Sequence, residues 1–442
     1  MSKLKKLTTE KSFCFSILIK CLRWMALRVW KKYQPQVIGI TGSIGKTSAK
    51  EAVARVLEEK FFLRKSDKNY NNEIGLPLTV IGAKSGEKSL WGWFRVLAYW
   101  LWIIIFPVRY PKILILEMGA DRPGDIRYLA DLVKCHIGIV TEVAQSHIEF
   151  FGSLENIARE KEELVKSLQK KDLAILNADN PLVSAMAQNL KSAVLTFGFS
   201  EFADLRATDV SFNYSEYGEI QGLSFKLNFR GISIPVRLNN VLAKHQIYSA
   251  LIAAAVAERL GMNLVEISSR LTDFSSPVGR LNLIAGIKKT FIIDDTYNAS
   301  WDSTAAALEV LREIKVGRKI AVLGDMLELG AETEKSHRQV GRKIAEIKAN
   351  RVFFFGRRMK FAWEELKKRN FNEADIFYFE NHADLSRKLQ AEMREGDLIL
   401  IKGSQSLRME KVVEEVMADP RAAGKLLCRQ DQEWKKKEFR LV

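Results

Sequence analysis

"VIGITGSIGKTSAKEAV", residues Val37 to Val53, reads as a strand of alternating aliphatics, a glycine turn, a lysine, two hydroxyls and then a helix. Gly42 and Gly45 let the backbone turn tightly and aim its N–H groups at an anion, while Lys46 adds a point charge. Thr47 can ligate magnesium, and the helix from Ser48 sets its positive dipole end beneath the phosphates. The expected nucleotide contacts in the loop are therefore Gly42, Ser43, Ile44, Gly45, Lys46, Thr47 and Ser48. The strict phosphate-loop pattern wants a glycine where Ile40 stands, so this is the shorter T-G-x-x-G-K-T variant. The bland alternative, a glycine turn with a stray lysine, is opposed by the order of strand, loop and helix.

Outward from the loop, short aliphatic strands alternate with helical stretches, the texture of parallel α/β layers. Strands are expected at Val37–Ile40, Ile113–Glu117, Ile137–Thr141, Leu173–Asn177 and Val194–Phe197. From Ala203 to Leu238 the pattern turns to period two and predicts antiparallel hairpins, followed by a helix over His245–Leu260. After "SSPVGRLN" the α/β texture restarts with "TFIIDDTYN", "KIAVLGDM", "NRVFFFG" and "DLILIKGS". At 442 residues the chain exceeds one typical core. The expected division is an N-terminal arm (1–36), a central domain (37–277, with an apolar insertion at 90–111), a C-terminal α/β domain (278–420) and a charged tail (421–442). Cys14, Cys21, Cys135 and Cys428 show neither metal nor disulfide spacing, which suits a reducing cytoplasm.

The net charge of +16 is unevenly placed: residues 1–36 hold nine Lys or Arg against Glu10 alone, half of the excess. Bulky apolar side chains interleave with those cations, including Phe13, Leu22, Trp24 and Trp30. The mix predicts an amphipathic helix on an anionic membrane surface. A helix docked on its own protein is the alternative, and nucleic acid is not the expected partner, because such arms are poorer in aliphatics. The run "LWGWFRVLAYWLWIIIFPVRYP", Leu90 to Pro111, approaches the length of a membrane span. One crossing would separate the phosphate loop from the acidic strand end at Glu117, so an interfacial or re-entrant hairpin is expected instead, with a buried helix or a partner-binding patch as the alternative.

Glu117 ends its strand where a carboxylate would face the loop's nucleotide, so that Thr47 and Glu117 could share one magnesium. His147 follows a strand and Lys161 sits within a helix; taken singly, each reads more readily as structural. In order along the chain stand "TGSIGKTS", "NYNNEIGLPLT", "EMGADRPGDI", "SHIEFFGSLENIAREKEEL", "NADN", "VGRLN", "DDTYNAS", "LGDMLELG" and "KGSQSLRME". This collinear set resembles the Mur ligases. "DDTYNAS" and "LGDMLELG" are most similar to the branch that joins D-alanyl-D-alanine to a UDP-N-acetylmuramoyl-tripeptide.

The resemblance implies a P-loop ATPase domain, then a Rossmann-like domain, and an ATP-dependent amide ligase working through an acyl phosphate in the cytoplasm. By family position Thr47 and Glu117 hold one Mg2+, and His147 with a carbamylated Lys161 holds a second. Lys46 and Arg280 cover the γ-phosphate, Asp295 the ribose, and His245 keeps part of the adenine motif, while Asn298 lies near the incoming amine. Asn69 and Asn72 stand where the acceptor loop meets the muramoyl peptide. Two departures stand out. The family's G-x-H-N-x-x-N appears as "AKHQIYS", with Gln246 and Ser249 in place of asparagines. Only 36 residues precede the phosphate strand, so the UDP-binding domain is expected to be absent and the nucleotide-sugar end held elsewhere. The alternatives are another Mur-type ligase with a lipid-linked or non-UDP acceptor, and a membrane-bound nucleotide-binding scaffold without catalysis.

Overall fold

The computed structural model describes residues 2–67, 70–87, 89–144, 148–432 and 434, with side chains from residue 15 onward apart from 148 and 149. It divides into two compact units, one of residues 1–209, 225–236 and 245–274, the other of 210–224, 237–244 and 275–442.

In chain order the first elements are α1 (Ser2–Tyr33), β1 (Gln36–Thr41), α2 (Lys46–Leu57), β2 (Leu63–Lys65), α3 (Gly75–Ile81), α4 (Leu90–Ile105), β3 (Ile113–Glu117) and α5 (Asp125–Ala130). Then come β4 (Ile137–Val140), α6 (Ile148–Phe151), α7 (Leu154–Lys166), β5 (Leu173–Asn177), α8 (Pro181–Ser184), β6 (Ala193–Gly198), β7 (Leu205–Tyr214), β8 (Ile220–Phe229), β9 (Ile232–Asn239), α9 (Gln246–Arg259) and α10 (Leu264–Leu271). The nine strands form one sheet in the order β2-β3-β1-β4-β5-β6-β7-β8-β9. From β2 to β6 all pairings are parallel, and β1, β3, β4 and β5 are almost wholly buried, which is why they read as continuous aliphatic runs rather than alternating ones. The period-two stretch becomes β7 to β9. Arg230 and Gly231, both at positive φ (48° and 79°), make a two-residue link between β8 and β9 that only antiparallel neighbours allow.

Helix α9 is alanine-rich and packs on α2 through small side chains, with Ala250, Ala253, Ala254 and Ala257 all fully buried. The phosphate-loop helix is thereby held from behind as well as by the sheet.

The N-terminal arm is helical, and one apolar stripe of it packs on its own protein. Leu22, Met25, Ala26 and Val29 are buried in the same core as α3 and α4, each large side chain contributing about 1.5–3 kcal/mol. Trp100 of α4 donates its indole N–H to the Met25 carbonyl at 3.0 Å. Lys32 donates to the carbonyls of Ile103, Ile104 and Phe106 at 2.9–3.0 Å, satisfying the open end of α4 with a cation where the helix dipole favours one. The 90–111 insertion is a single helix followed by an extended exit, not a hairpin. Among the described residues no helix is long and apolar enough to cross a membrane.

The second unit holds a six-stranded sheet ordered β10-β11-β15-β12-β13-β14, from β10 (Asn282–Gly286), β11 (Thr290–Asp295), β12 (Lys319–Gly324), β13 (Arg351–Phe355), β14 (Ile376–Phe379) and β15 (Leu398–Lys402). All its pairings are parallel except β10 with β11. The start of the expected charged tail is packed here: Ala423, Leu427 and Cys428 are buried, and Arg429 pairs with the buried Glu410 at 2.7 Å.

Candidate active site

Strand β1 lies between β3 and β4, and the phosphate loop leaves its C-terminal end. Ile40 is fully buried and in register with Glu117, so the strand runs on through the position where the longer motif has glycine, and the turn begins only at Gly42. Gly42 adopts φ 144°, and a Cβ there would fall 2.0 Å from the Thr141 hydroxyl. Gly45 takes φ 85° as the N-cap of α2. Thr141, just after β4, donates to the Ile44 carbonyl at 2.5 Å, and Ser43 donates from its backbone to Glu142 O (2.7 Å) and from its hydroxyl to Ala144 O (3.1 Å). The loop is therefore moored to the end of β4, at the point where the strand order reverses and α/β sheets open a crevice.

Lys46 folds back over this loop, donating to Gly42 O at 2.6 Å and Ser43 O at 3.3 Å. Burial lowers its pKa, against the pull of Glu117 and Asp121. The Thr47 hydroxyl sits 3.1 and 3.2 Å from the two Glu117 carboxylate oxygens. Glu117 also accepts an ion pair from Lys50 at 3.1 Å, and both side chains are nearly inaccessible. Ser48 is buried and accepts from the Gln246 amide at 3.3 Å, while Ser249 donates to Gln246 at 3.4 Å. The two residues that depart from the family motif thus serve here as a buried strut between α9 and α2. His245 is exposed at the N-cap of α9.

Lys161, 4% exposed on α7, is the unusual group. Burial first, then the charge of Lys46, pushes its amine down to about 8, with Glu160, Asp121 and Asp125 pulling the other way. Its neighbour Glu160 accepts from the backbone N–H groups of Gly124 and Ile126, both at 2.7 Å, and so pins the "DRPGDI" loop to α7. Asn72 accepts from the backbone N–H of Gly75, the first residue of α3, at 2.9 Å, and it lines a cavity of about 490 Å³ with Asn71, Gly119, Asp121, Tyr128 and, from α1, Ile19. Asn69 and His147 lie outside the described residues.

The oxygen donors fit a magnesium ion: Thr47 and Glu117 already meet at hydrogen-bond distance, and hydroxyl and carboxylate oxygens are the hard ligands Mg2+ takes. A lysine amine is not such a ligand, so Lys161 fits only as its carbamate. No cluster of three or more His, Cys, Asp or Glu suited to a metal occurs among the described residues.

In the second unit Arg280 is exposed and its guanidinium lies over the Tyr297 ring at 4.3 Å. Asp295, at the end of β11, accepts from Lys402 at 2.6 Å, and the same ammonium donates to Asn298 O at 2.8 Å. Asn298 Oδ1 accepts from Gln405 N at 3.4 Å. Lys402 is 2% exposed, so it holds the "DDTYNAS" turn to the end of β15.

Two family models match the chain: the Mur ligase middle domain over residues 105–257 and the Mur ligase, glutamate ligase domain over residues 279–405. A UDP-N-acetylmuramoyl-tripeptide–D-alanyl-D-alanine ligase of Bacillus subtilis is 30% identical over 408 residues, covering 91% of this chain and 80% of that one. The chain belongs to the Mur ligase family. The ligase of that name from Mycobacterium tuberculosis is 31% identical, covering 87% of this chain and 73% of its own. Among solved structures, the MurF of Acinetobacter baumannii superposes with a TM-score of 0.74 at 26% identity, over 91% of this chain and 81% of that one. The MurF ligase of Thermotoga maritima in complex with ADP has a TM-score of 0.69 at 25% identity, covering 90% and 83%.

Several residues of this Mur ligase escape a reading by motif. Lys50 and Lys402 are helical or strand lysines like many others, Thr141 carries no signature, and Gln246 reads only as a departure from a motif. Only the pairing of a buried cation with a carboxylate at a strand end marks the first two. Nothing in the local sequence indicates that pairing.

Proposed function

We propose that this Mur ligase joins D-alanyl-D-alanine to UDP-N-acetylmuramoyl-tripeptide at the expense of ATP, in the synthesis of peptidoglycan precursors. The observation that carries the reading is the meeting of Thr47 with Glu117 beside a phosphate loop closed by Lys46. That arrangement serves phosphoryl transfer, and the likeness to ligases of that name supplies the acceptor and the amine.

The acceptor's terminal carboxylate attacks the γ-phosphorus of ATP, the bond to ADP breaks, and an acyl phosphate forms. The amine of the dipeptide then attacks the acyl carbon, gives up a proton, and phosphate leaves from the tetrahedral intermediate. The difficulty is the approach of one anion to another, so catalysis is largely placement of positive charge. Lys46 meets it by exchanging the loop carbonyls for phosphate oxygens. Lys50 holds the Glu117 carboxylate in place. Thr47 and Glu117 would hold one Mg2+, and His147 with carbamylated Lys161 a second; such ions supply charge neutralisation at the phosphoryl oxygens. A lysine near pKa 8 has a neutral amine available to CO2 at cellular pH, which supports the carbamate.

By family position we assign Arg280 to the γ-phosphate, Asp295 to the ribose, His245 to the adenine end and Asn298 to the incoming amine, with Asn69 and Asn72 on the acceptor. Gly42, Ser43, Ile44, Gly45 and Ser48 frame the phosphates. We keep residues 37–277 as the central domain and 278–420 as the C-terminal one, extended to Arg429 by its buried end. The reaction belongs in the cytoplasm, and we extend the reading to a peripheral position on the membrane's inner face.

Phosphate release from ATP tests the reaction. With tripeptide acceptor alone or dipeptide alone it should stay near background, and with both it should rise by orders of magnitude. Equal release without the dipeptide, or with an unrelated amine in its place, would overturn the reading.

A further inference from the structure

We propose that the outward face of α4, continued by the exposed side of α1, docks on an anionic lipid surface. The proposal deepens the cytoplasmic, membrane-peripheral reading above by naming the surface, and it does not depend on the identity of the acceptor.

Apart from Arg95, helix α4 is apolar around its whole circumference, a pattern expected of a helix buried on all sides. Only one stripe is covered: Val96, Trp100 and Ile103 are buried, with Trp93 packed partly against the same core. On the other side Trp91 is 68% exposed, Phe94 56%, Trp102 53% and Ile105 65%, at the spacing of one helical face. Trp24 of α1, half exposed, tilts against Trp100 at 5.0 Å, so the second helix adds an exposed ring where the two helices meet. A contiguous aromatic and aliphatic surface of this kind is not left uncovered on a protein that works alone in water.

Charge decides what covers it. From Phe15 to Tyr33 and from Leu90 to Lys112 the chain carries no acidic residue. Exposed Lys20, Arg28, Lys31, Arg95, Arg109 and Lys112 belong to these stretches. Arg28 lies over the Trp24 ring at 5.5 Å, a cation beside the aromatic face itself. Two copies meeting through this face by a two-fold axis would bring their like charges together. Anionic headgroups instead match the cations while the acyl boundary takes the tryptophans. The helix lies flat rather than spanning: its 16 residues reach about 24 Å, short of the hydrocarbon core. Its inward side chains and its C-terminal carbonyls are already tied to α1.

The test is sedimentation of the full chain with vesicles of mixed phosphatidylglycerol and phosphatidylcholine, against vesicles of phosphatidylcholine alone. Binding to the mixed vesicles should be at least about tenfold tighter and should weaken as salt rises. A chain carrying Trp91→Ser, Phe94→Ser, Trp102→Ser and Ile105→Ser should lose that binding by about a hundredfold or more, since four buried anchors are removed. These side chains face outward, so its phosphate release on soluble substrates should match the parent, which separates loss of docking from loss of catalysis. Quenching of tryptophan fluorescence by brominated acyl chains should occur in the parent and fall in the variant. Equal binding of parent and variant, or equal binding to both vesicle types, would overturn the proposal. So would a lipid-free dimer that the variant abolishes, which would make the face a contact between copies. Absence of vesicle binding by a monomeric parent would equally overturn it and leave a protein partner as the occupant.

Discussion

Removing CO2 from the buffer and returning bicarbonate in steps probes the state of Lys161. Carbamate formation joins a neutral amine to bicarbonate with loss of water, so the bicarbonate needed for half-maximal activity varies inversely with the fraction of Lys161 that is unprotonated. With the amine pushed down to about 8 by burial and by Lys46, that fraction is about nine-tenths at pH 9, about half at pH 8 and about one-tenth at pH 7. As pH falls the lysine protonates and more bicarbonate is required: less than about twofold more from pH 9 to 8, then about five- to sixfold more from pH 8 to 7. A lysine of ordinary pKa would require about tenfold more over each of those steps. Phosphate release measured against bicarbonate at the three pH values gives the ratios, and a carbamate carbon signal from labelled bicarbonate gives a readout independent of turnover. Lys161→Ala should nearly abolish turnover and lose that signal, with partial rescue by a small carboxylate. Activity that ignores bicarbonate at every pH, or a Lys161→Ala chain of near-normal rate, would refute the reasoning.

Lys50→Met leaves Glu117 buried without its cation and should cost about 3–5 kcal/mol in urea unfolding, much of it recovered when Glu117→Gln is added; a loss below about 1 kcal/mol would count against the pair. Glu117→Ala and His147→Ala should lower kcat far more than they raise the KM for ATP, because each is assigned to organising charge in the transition state; steady-state kinetics showing only a raised KM would contradict that. Gly42→Ala, at φ 144° with Thr141 in the way of the new Cβ, should weaken ATP binding by about tenfold or more by unmooring the loop, and calorimetry with unchanged affinity would contradict it.

Much of the architecture is readable from local pattern. The strand, turn and helix around Gly42–Thr47 are encoded within seventeen residues, and the buried parallel strands announce themselves as aliphatic runs because both their faces are covered. The link at Arg230–Gly231 follows from its length. What pattern does not contain is which distant groups meet. Glu117 is legible as a strand-end carboxylate, yet its cation is Lys50, a helix turn past the loop, and Asp295 finds Lys402 from a strand more than a hundred residues later. Gln246 reads as a lost asparagine, and only the packing of α9 on α2 turns it into a strut on Ser48. The two apolar segments show the limit most clearly. An amphipathic arm and a helix apolar on nearly every side each have a face that must be covered, but periodicity does not say by what. Helix α1 covers its own face with α3 and α4, while α4 has more apolar surface than one neighbour can bury. Local sequence sets which side chains share a face because the helix repeat is short-ranged; which face is buried is set by long-range packing, and that belongs to the tertiary structure alone.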